Sequence, residues 1–342
     1  MRRVLCRVDA GPNTGLGHLQ RCLSLAEAFR RQGLAVVFLV PEVGDVPARV
    51  QGGGFELLGR DHGKCFAGGG GDRDMVVDAA RLQACDLVVL DSYHIDNEYI
   101  ADVRRAGLVT IVIDDLAAEP FAAHLVVNGA AGTDRLAYTS STGDTQFLLG
   151  PQYALLHTAF WGAPKRVLSP KVNHILVSVG GADPGRALPR ILRSIDGLSD
   201  SFTITAVVGP FAFDDPDPAP EQYDHPVSFI RAAHHLRQLM YDADVAVSAS
   251  GQTLYELAAT GTPAVAVQLF ENQATNVRGL AAEGAVVDGG NASDADFNVR
   301  LGRSVAELIG DGRKRDRLSH RGQALIDGLG ATRVAAAALR LA

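Results

Sequence analysis

Apolar runs of strand length alternate with segments of helical period through both halves of this chain, and that alternation leaves few folds open. Such order builds parallel sheets covered by helices, because one parallel strand follows another only through a long crossover. In the first half, strands are expected near residues 3–8, 35–40, 86–90, 109–113 and 124–127, with helices at 18–32, 74–83 and 96–106. The second half repeats the scheme, with strands near 174–179, 203–208, 227–230, 244–247 and 264–267. Its helices are expected at 185–196, 234–241, 252–260, 272–283, 293–309 and 313–328. A chain of 342 residues is too long for one ordinary core. The reading is two α/β domains, 1–165 and 172–330, followed by a C-terminal helix at 331–342, with a linker at 160–172 punctuated by Pro164, Ser169 and Pro170. Each half opens with strand, glycine turn and helix, so the two sets of carboxyl-end loops are expected to face one another across a central cleft.

Bulk properties narrow the partners. A net charge of −7 gives no basic surface for nucleic acid or an anionic membrane, so a negatively charged ligand would need local donors. Cys6, Cys22, Cys65 and Cys85 are dispersed without metal spacing and read as reduced thiols. The N-terminal apolar run is too short for a signal sequence, and no stretch is long enough for a membrane span. A cytoplasmic monomer is expected, with no metal, no cofactor and no membrane insertion.

The chemistry-bearing residues gather where strands end. Gly15-Leu16-Gly17-His18 follows the run Val4–Val8 and precedes a helical pattern through Arg21. Glycines there let a ligand approach the backbone, and the first helical N–H groups face an anion. A dinucleotide fingerprint is disfavoured, since Gln20 occupies the third glycine position and no well-placed carboxylate follows the next strand. His18 is then a turn cap or a catalytic imidazole. Asp91-Ser92-Tyr93 leaves another apolar run: Asp91 and Tyr93 are candidate site residues, while Ser92 or Asp96 suits helix capping. One of Asp114 and Asp115 is a candidate to hold the His18 tautomer, with loop capping as the alternative.

In the second half, Gly180-Gly181 and Ser250-Gly251-Gln252-Thr253 each close a strand and precede a helix, a pattern that suits a pyrophosphate. Glu256 sits in the apolar run Leu254–Ala259, where a carboxylate needs a partner such as a ribose diol or an arginine. Asn272 and Gln273, after another apolar strand, are candidates to read polar sugar substituents, or to cap the next helix.

Taken in order, these motifs resemble the UDP-2,4-diacetamido-2,4,6-trideoxy-β-L-altropyranose hydrolases of pseudaminic acid biosynthesis. The likeness is carried by Arg7-Val8-Asp9-Ala10, Gly15–Leu23, Asp91-Ser92-Tyr93, Asp114-Asp115 and Gly150–Leu156, then by Val179–Pro184, Thr253–Leu257 and Asn272-Gln273. That family is similar in fold to the GT-B glycosyltransferases, which implies two Rossmann-like domains with parallel sheets. The resemblance implies UDP on the second domain at Gly180, Gly181, Ser250, Gly251, Thr253 and Glu256. It implies sugar contacts from Gly17, Arg21, Asp91, Tyr93, Asn272 and Gln273. His18 would be the catalytic residue, a general base on a water that attacks the anomeric carbon with inversion and releases UDP. The expected function is therefore a UDP-sugar hydrolase of pseudaminic acid or a related surface-polysaccharide pathway. The alternatives are a GT-B glycosyltransferase using a UDP-sugar donor, a hydrolysing epimerase, or a non-catalytic nucleotide-sugar-binding protein.

Overall fold

The computed structural model describes residues 2–11, 16–58, 70–181, 183, 186–209, 220–231 and 236–342, with the side chains of Asp134, Glu221 and Asn272 excepted. The chain divides into two compact units, residues 1–158 together with 329–342, and residues 159–328. In the first unit the elements run β1 (Arg3–Val8), α1 (Gly17–Arg31), β2 (Ala35–Leu39), α2 (Val46–Gly52), β3 (Glu56–Leu57), α3 (Gly70–Leu82), β4 (Leu87–Asp91), α4 (Asn97–Arg105), β5 (Val109–Ile113), β6 (Leu125–Asn128) and β7 (Gln146–Leu149). The second unit comprises β8 (His174–Ser178), α5 (Ala187–Asp196), β9 (Thr203–Val208), β10 (Val227–Arg231), α6 (Leu236–Asp242), β11 (Val245–Ala249), α7 (Gln252–Thr260), β12 (Ala264–Gln268), α8 (Ala274–Ala282), β13 (Val287–Asn291), α9 (Phe297–Gly310) and α10 (Gly312–Leu325). The last helix, α11 (Gly330–Leu339), returns to the first unit, where it packs on α1.

Both sheets are parallel and share one winding. The first has the order β3-β2-β1-β4-β5-β6-β7, and the second β10-β9-β8-β11-β12-β13. In each, the chain starts in the middle, winds outward to one side, then crosses back to build the other. The reversal falls between β1 and β4 in the first sheet and between β8 and β11 in the second. At such a point the crossovers leave in opposite directions, and a crevice opens beyond the carboxyl ends of the strands. The central strands β1, β4, β8 and β11 are buried along nearly their whole length, as helices on both faces require. The core of the first unit contains Leu5, Val37, Val88, Leu90 and Val126, while that of the second centres on Ile175, Val177, Ile204, Val247 and Val265. Turn chemistry follows the sequence at α7, which stops because Gly261 adopts the left-handed φ of 69°. No described helix is long and apolar enough to cross a membrane.

Arg7 carries a charge into this apolar interior. Arg7 is fully buried on β1, where it binds Asp9 at 2.5 Å and Asp72, at the start of α3, at 2.5 and 3.3 Å. Tyr99 of α4 donates to the same Asp72. The network ties β1 to α3 and α4 at the carboxyl end of the sheet. Removing Arg7 would leave two buried carboxylates without their shared cation, so Arg7→Leu is expected to lower unfolding free energy by about 3–5 kcal/mol in urea titration. A loss under about 1 kcal/mol would contradict the burial of the network.

Candidate active site

The first helical turn of α1 begins at Gly17, with Leu16 as a cap that makes no side-chain hydrogen bond. His18, Arg21 and Cys22 are spaced i, i+3, i+4, which puts them on one face of the helix. That face meets Asp91, the last residue of β4, directly beside β1 at the point where the winding reverses. Asp91 is fully buried and its two oxygens take four donors. Oδ1 accepts from His18 Nδ1 at 2.5 Å and Arg21 Nη2 at 2.6 Å; Oδ2 accepts from Arg21 Nε at 2.7 Å and from the Cys22 thiol at 3.4 Å.

Electrostatics fix the protons. Burial alone would raise the Asp91 pKa, but Arg21 and His18 outweigh it and hold the carboxyl well below the usual carboxylate range. An ionised Asp91 can only accept, so His18 Nδ1 carries the hydrogen. The 3.2 Å approach of Arg21 Nη2 to the same ring nitrogen is then a convergence of two donors on Asp91 Oδ1. With Nδ1 donating, Nε2 is the remaining ring nitrogen and has no hydrogen-bond partner among the described residues. His18 is only 5% exposed, so the ring is clamped with little more than an edge open. Arg21 stays charged because Asp115 and Asp91 together overcome its burial.

Asp115, just past β5, accepts both contacts of Arg21 Nη1 at 2.8 Å. It also accepts the Tyr93 hydroxyl at 2.9 Å. The Tyr93 ring stands edge-on to His18, with centroids 4.6 Å apart and planes at 83°. Burial, then the neighbouring Asp115, push the Tyr93 pKa up, so its hydroxyl remains a donor. His18, Arg21, Asp91 and Tyr93 are thus brought together. The choice between Asp114 and Asp115 as holder of the His18 tautomer is corrected, since Asp91 holds the ring. Asp114 instead caps its own turn through Leu116 N and Ala117 N and takes the Tyr138 hydroxyl. Asp96 caps α4, and Ser92 donates to Asp9. Gly15 lies outside the described residues. A Cβ at Gly17 would meet no described atom within 4 Å, so packing against the described residues does not explain the glycine.

In the second unit the two small-residue loops follow β8 and β11, which are hydrogen-bonded neighbours. Gly180 adopts φ 83°, a conformation that favours glycine. Its carbonyl and that of Gly181 press so closely on Gly209 that a Cβ there would lie 2.1 Å from Gly180 O, and nothing in the sequence singled out Gly209. Gly251 precedes α7, where no side chain caps the helix, and no described atom would lie within 4 Å of a Cβ there. Ser250 is corrected as a donor to a ligand: its hydroxyl and its N–H both turn inward to Val267 O, at 2.9 and 3.1 Å. Its carbonyl is held by Asn276 Nδ2, while Asn276 Oδ1 accepts from the Tyr255 hydroxyl, a brace that sequence reasoning missed.

Thr253 and Glu256 lie i, i+3 on α7. Glu256 is only 7% exposed, has no hydrogen-bond partner among the described residues, and burial pushes its pKa up to about 7. Of the two partners the sequence suggests, a described arginine does not pair with it. Gln273 Oε1 caps its own turn by accepting from Leu269 N at 2.9 Å, so that oxygen is not free for a sugar substituent. The side chain of Asn272 lies outside the described residues. Among the described residues, no cluster of three or more His, Cys, Asp or Glu is placed to hold a metal.

Comparison with known proteins agrees on architecture. No family model matches the chain. It is 25% identical over 285 residues to an uncharacterized protein of Methanocaldococcus jannaschii, covering 79% of this chain and 56% of that protein. The spore coat polysaccharide biosynthesis protein SpsG of Bacillus subtilis is 23% identical over 96% of this chain and 95% of its own. A Helicobacter pylori protein named as a pseudaminic acid cytidylyltransferase and UDP-2,4-diacetamido-2,4,6-trideoxy-β-L-altropyranose hydrolase is 21% identical over 79% of this chain and 45% of its own. The chain therefore spans about half the length of two of these relatives.

Among solved structures, MurG of Acinetobacter baumannii superposes with a TM-score of 0.72 at 17% identity, covering 99% of this chain and 100% of that one. The glycosyltransferase SnogD of Streptomyces nogalater gives 0.63 at 17%, covering 99% and 100%. The spinosyn rhamnosyltransferase SpnG gives 0.63 at 15%, covering 98% and 99%. The chain has the GT-B fold, two parallel-sheet Rossmann-like domains similar in fold to MurG. The expectation of a hydrolase is contradicted by this set, whose structures are almost all glycosyltransferases.

Glu256 makes stability depend on pH. Below about 4.5 the carboxyl is protonated in both folded and unfolded chains and contributes nothing. Between about 4.5 and 7 the unfolded chain sheds the proton while the fold retains it, so the group increasingly opposes folding, by about 3 kcal/mol above that window. Urea titrations from pH 4 to 8 should show Glu256→Gln gaining on the wild type across this window and then holding level. Parallel curves would contradict the burial of an unpartnered carboxyl.

Proposed function

We propose that this chain is a glycosyltransferase that takes its sugar from a UDP donor. The observation that carries the reading is the clamp of Asp91 on His18 Nδ1, which leaves Nε2 as a base in a fixed direction. In the proposed reaction Nε2 takes the proton from an acceptor hydroxyl. The new bond forms between that oxygen and the anomeric carbon as the bond from carbon to the β-phosphate oxygen breaks, and the electron pair leaves with UDP. A single displacement of this kind inverts the anomeric centre. Proton transfer of this type supplies roughly 10² to 10⁴ in rate. Donors aimed at the departing diphosphate would supply a further large share.

The second unit is assigned the nucleotide. Supporting this are the open approaches at Gly251 and Gly180, the uncapped start of α7 for the diphosphate, and the unpartnered Glu256 for the ribose hydroxyls. Gly181 and Thr253 complete that set, with Ser250 shaping the loop. Tyr93, Arg21 and Asp91 are assigned to the side where the sugar reacts. The name of the Bacillus subtilis relative supports a polysaccharide acceptor, and that of the Helicobacter pylori relative supports a UDP-linked diacetamido sugar as donor.

The test supplies UDP-N-acetylhexosamines and UDP-diacetamido sugars alone and with a panel of saccharide acceptors, and follows UDP. Release is expected to depend on acceptor and to fall about 10² to 10⁴-fold in His18→Ala with donor affinity retained. Equally fast release into water alone, or undiminished turnover in the variant, would overturn the reading. For the nucleotide, Glu256→Ala is expected to weaken UDP binding by calorimetry about tenfold, the loss of a hydrogen bond to the ribose; unchanged affinity would remove the ribose assignment.

A further inference from the structure

The contacts around His18 close on themselves. His18 binds Asp91, Asp91 binds Arg21, Arg21 binds Asp115, Asp115 binds the Tyr93 hydroxyl, and the Tyr93 ring stands against His18. Four of these five residues were already assigned to the site. The fifth, Asp115, is the only link between the arginine and the tyrosine in this circuit.

We infer that Asp115 is a positioning residue for the His18 base, acting through Arg21 and Tyr93. The inference rests on the reading of His18 as a base. On Asp91 Oδ1 the imidazole and Arg21 compete for one oxygen, at 2.5 and 2.6 Å. Arg21 carries one positive charge between two carboxylates, and with a neutral imidazole the group as a whole keeps one negative charge. Asp115 draws part of the guanidinium away through Nη1, leaving Asp91 enough negative charge to hold the Nδ1 hydrogen. Without Asp115 the arginine would turn wholly onto Asp91 and weaken that bond. Tyr93, 43% exposed and anchored at its hydroxyl by Asp115, would at the same time be free to leave the imidazole edge.

The other charged and titratable groups nearby fit this division. Cys22 of α1 donates to Asp91 from a thiol that burial pushes up, so it adds no charge. Asp9, past β1, is already committed to Arg7 and Ser92. Neither can replace Asp115 as the second acceptor for Arg21.

The test reads the full-length protein with ¹⁵N-labelled histidine by NMR at pH 8 and needs no turnover. In the wild type the His18 Nδ1–H resonance is expected far downfield, with Nε2 unprotonated. Asp115→Ala should move that resonance upfield and populate the Nε2–H tautomer, Asp115→Asn should do so in part, and Asp115→Glu should restore it. Tyr93→Phe, which removes the ring's anchor but leaves Arg21 on Asp115, should shift the resonance less than Asp115→Ala and leave the Nδ1–H tautomer in place. A stably folded Asp115→Ala or Asp115→Asn protein with the wild-type resonance would overturn the role of Asp115 alone. A wild type lacking the Nδ1–H tautomer would overturn the base reading together with the inference.

Discussion

A single buried carboxylate organises the first unit's site. Asp91 lies at the end of a central strand, inside the sheet, where an unpaired charge would be untenable. It remains ionised because four donors converge on it, all from three residues on one face of α1. That requirement fixes the rotation of α1, the tautomer of His18 and the direction of its open nitrogen together. The rest of the circuit, Arg21 to Asp115 to Tyr93, follows from placing a guanidinium beside that carboxylate.

The two units use the same topology in different ways. Each sheet reverses its winding between its first and fourth strands, and each gathers its candidate residues at the carboxyl ends of that pair. The first unit fills the position with charge. Asp9 and Asp91 emerge side by side from β1 and β4, each with its own arginine, and the backbone of Asp9 donates to that of Asp91 at 3.1 Å. The second unit leaves the position open, with Gly180, Gly251 and the uncapped start of α7, and a lone carboxyl at Glu256. Compact charge suits proton transfer, whereas open backbone suits a diphosphate.

Much of this was legible in the sequence, and the exceptions have physical causes. Continuous apolar runs located β1, β4, β5, β8, β11 and β12, because strands buried on both faces leave no polar alternation to confuse with a loop. β13 was missed because its sequence, Val287-Asp288-Gly289-Gly290-Asn291, has turn chemistry; it is held by pairing with β12 rather than by propensity. The periodicity near 313–328 merged the end of α10 with the approach to α11, since the break at Ile326 carries no proline. At the site, the spacing of His18, Arg21 and Cys22 was readable as one helical face, but the partner of that face was not. Arg21 and Asp115 are 94 positions apart, and no local pattern encodes such a pairing. The inward turn of Ser250 was equally hidden, because a hydroxyl at a strand end reads the same whether it faces a ligand or a carbonyl.

The account stands on Asp91 acting as an anion that holds the histidine, and the most direct measurement is the activity of Asp91→Asn beside its fold. An amide of the same shape offers both a donor and an acceptor, so the ring would no longer be held in one tautomer, as with carboxylate-to-amide changes beside catalytic histidines elsewhere. UDP release in the presence of donor and acceptor is predicted to fall by about 10² to 10⁴-fold while the protein stays folded and binds UDP as before. Turnover at the wild-type rate in a folded Asp91→Asn protein would contradict the account.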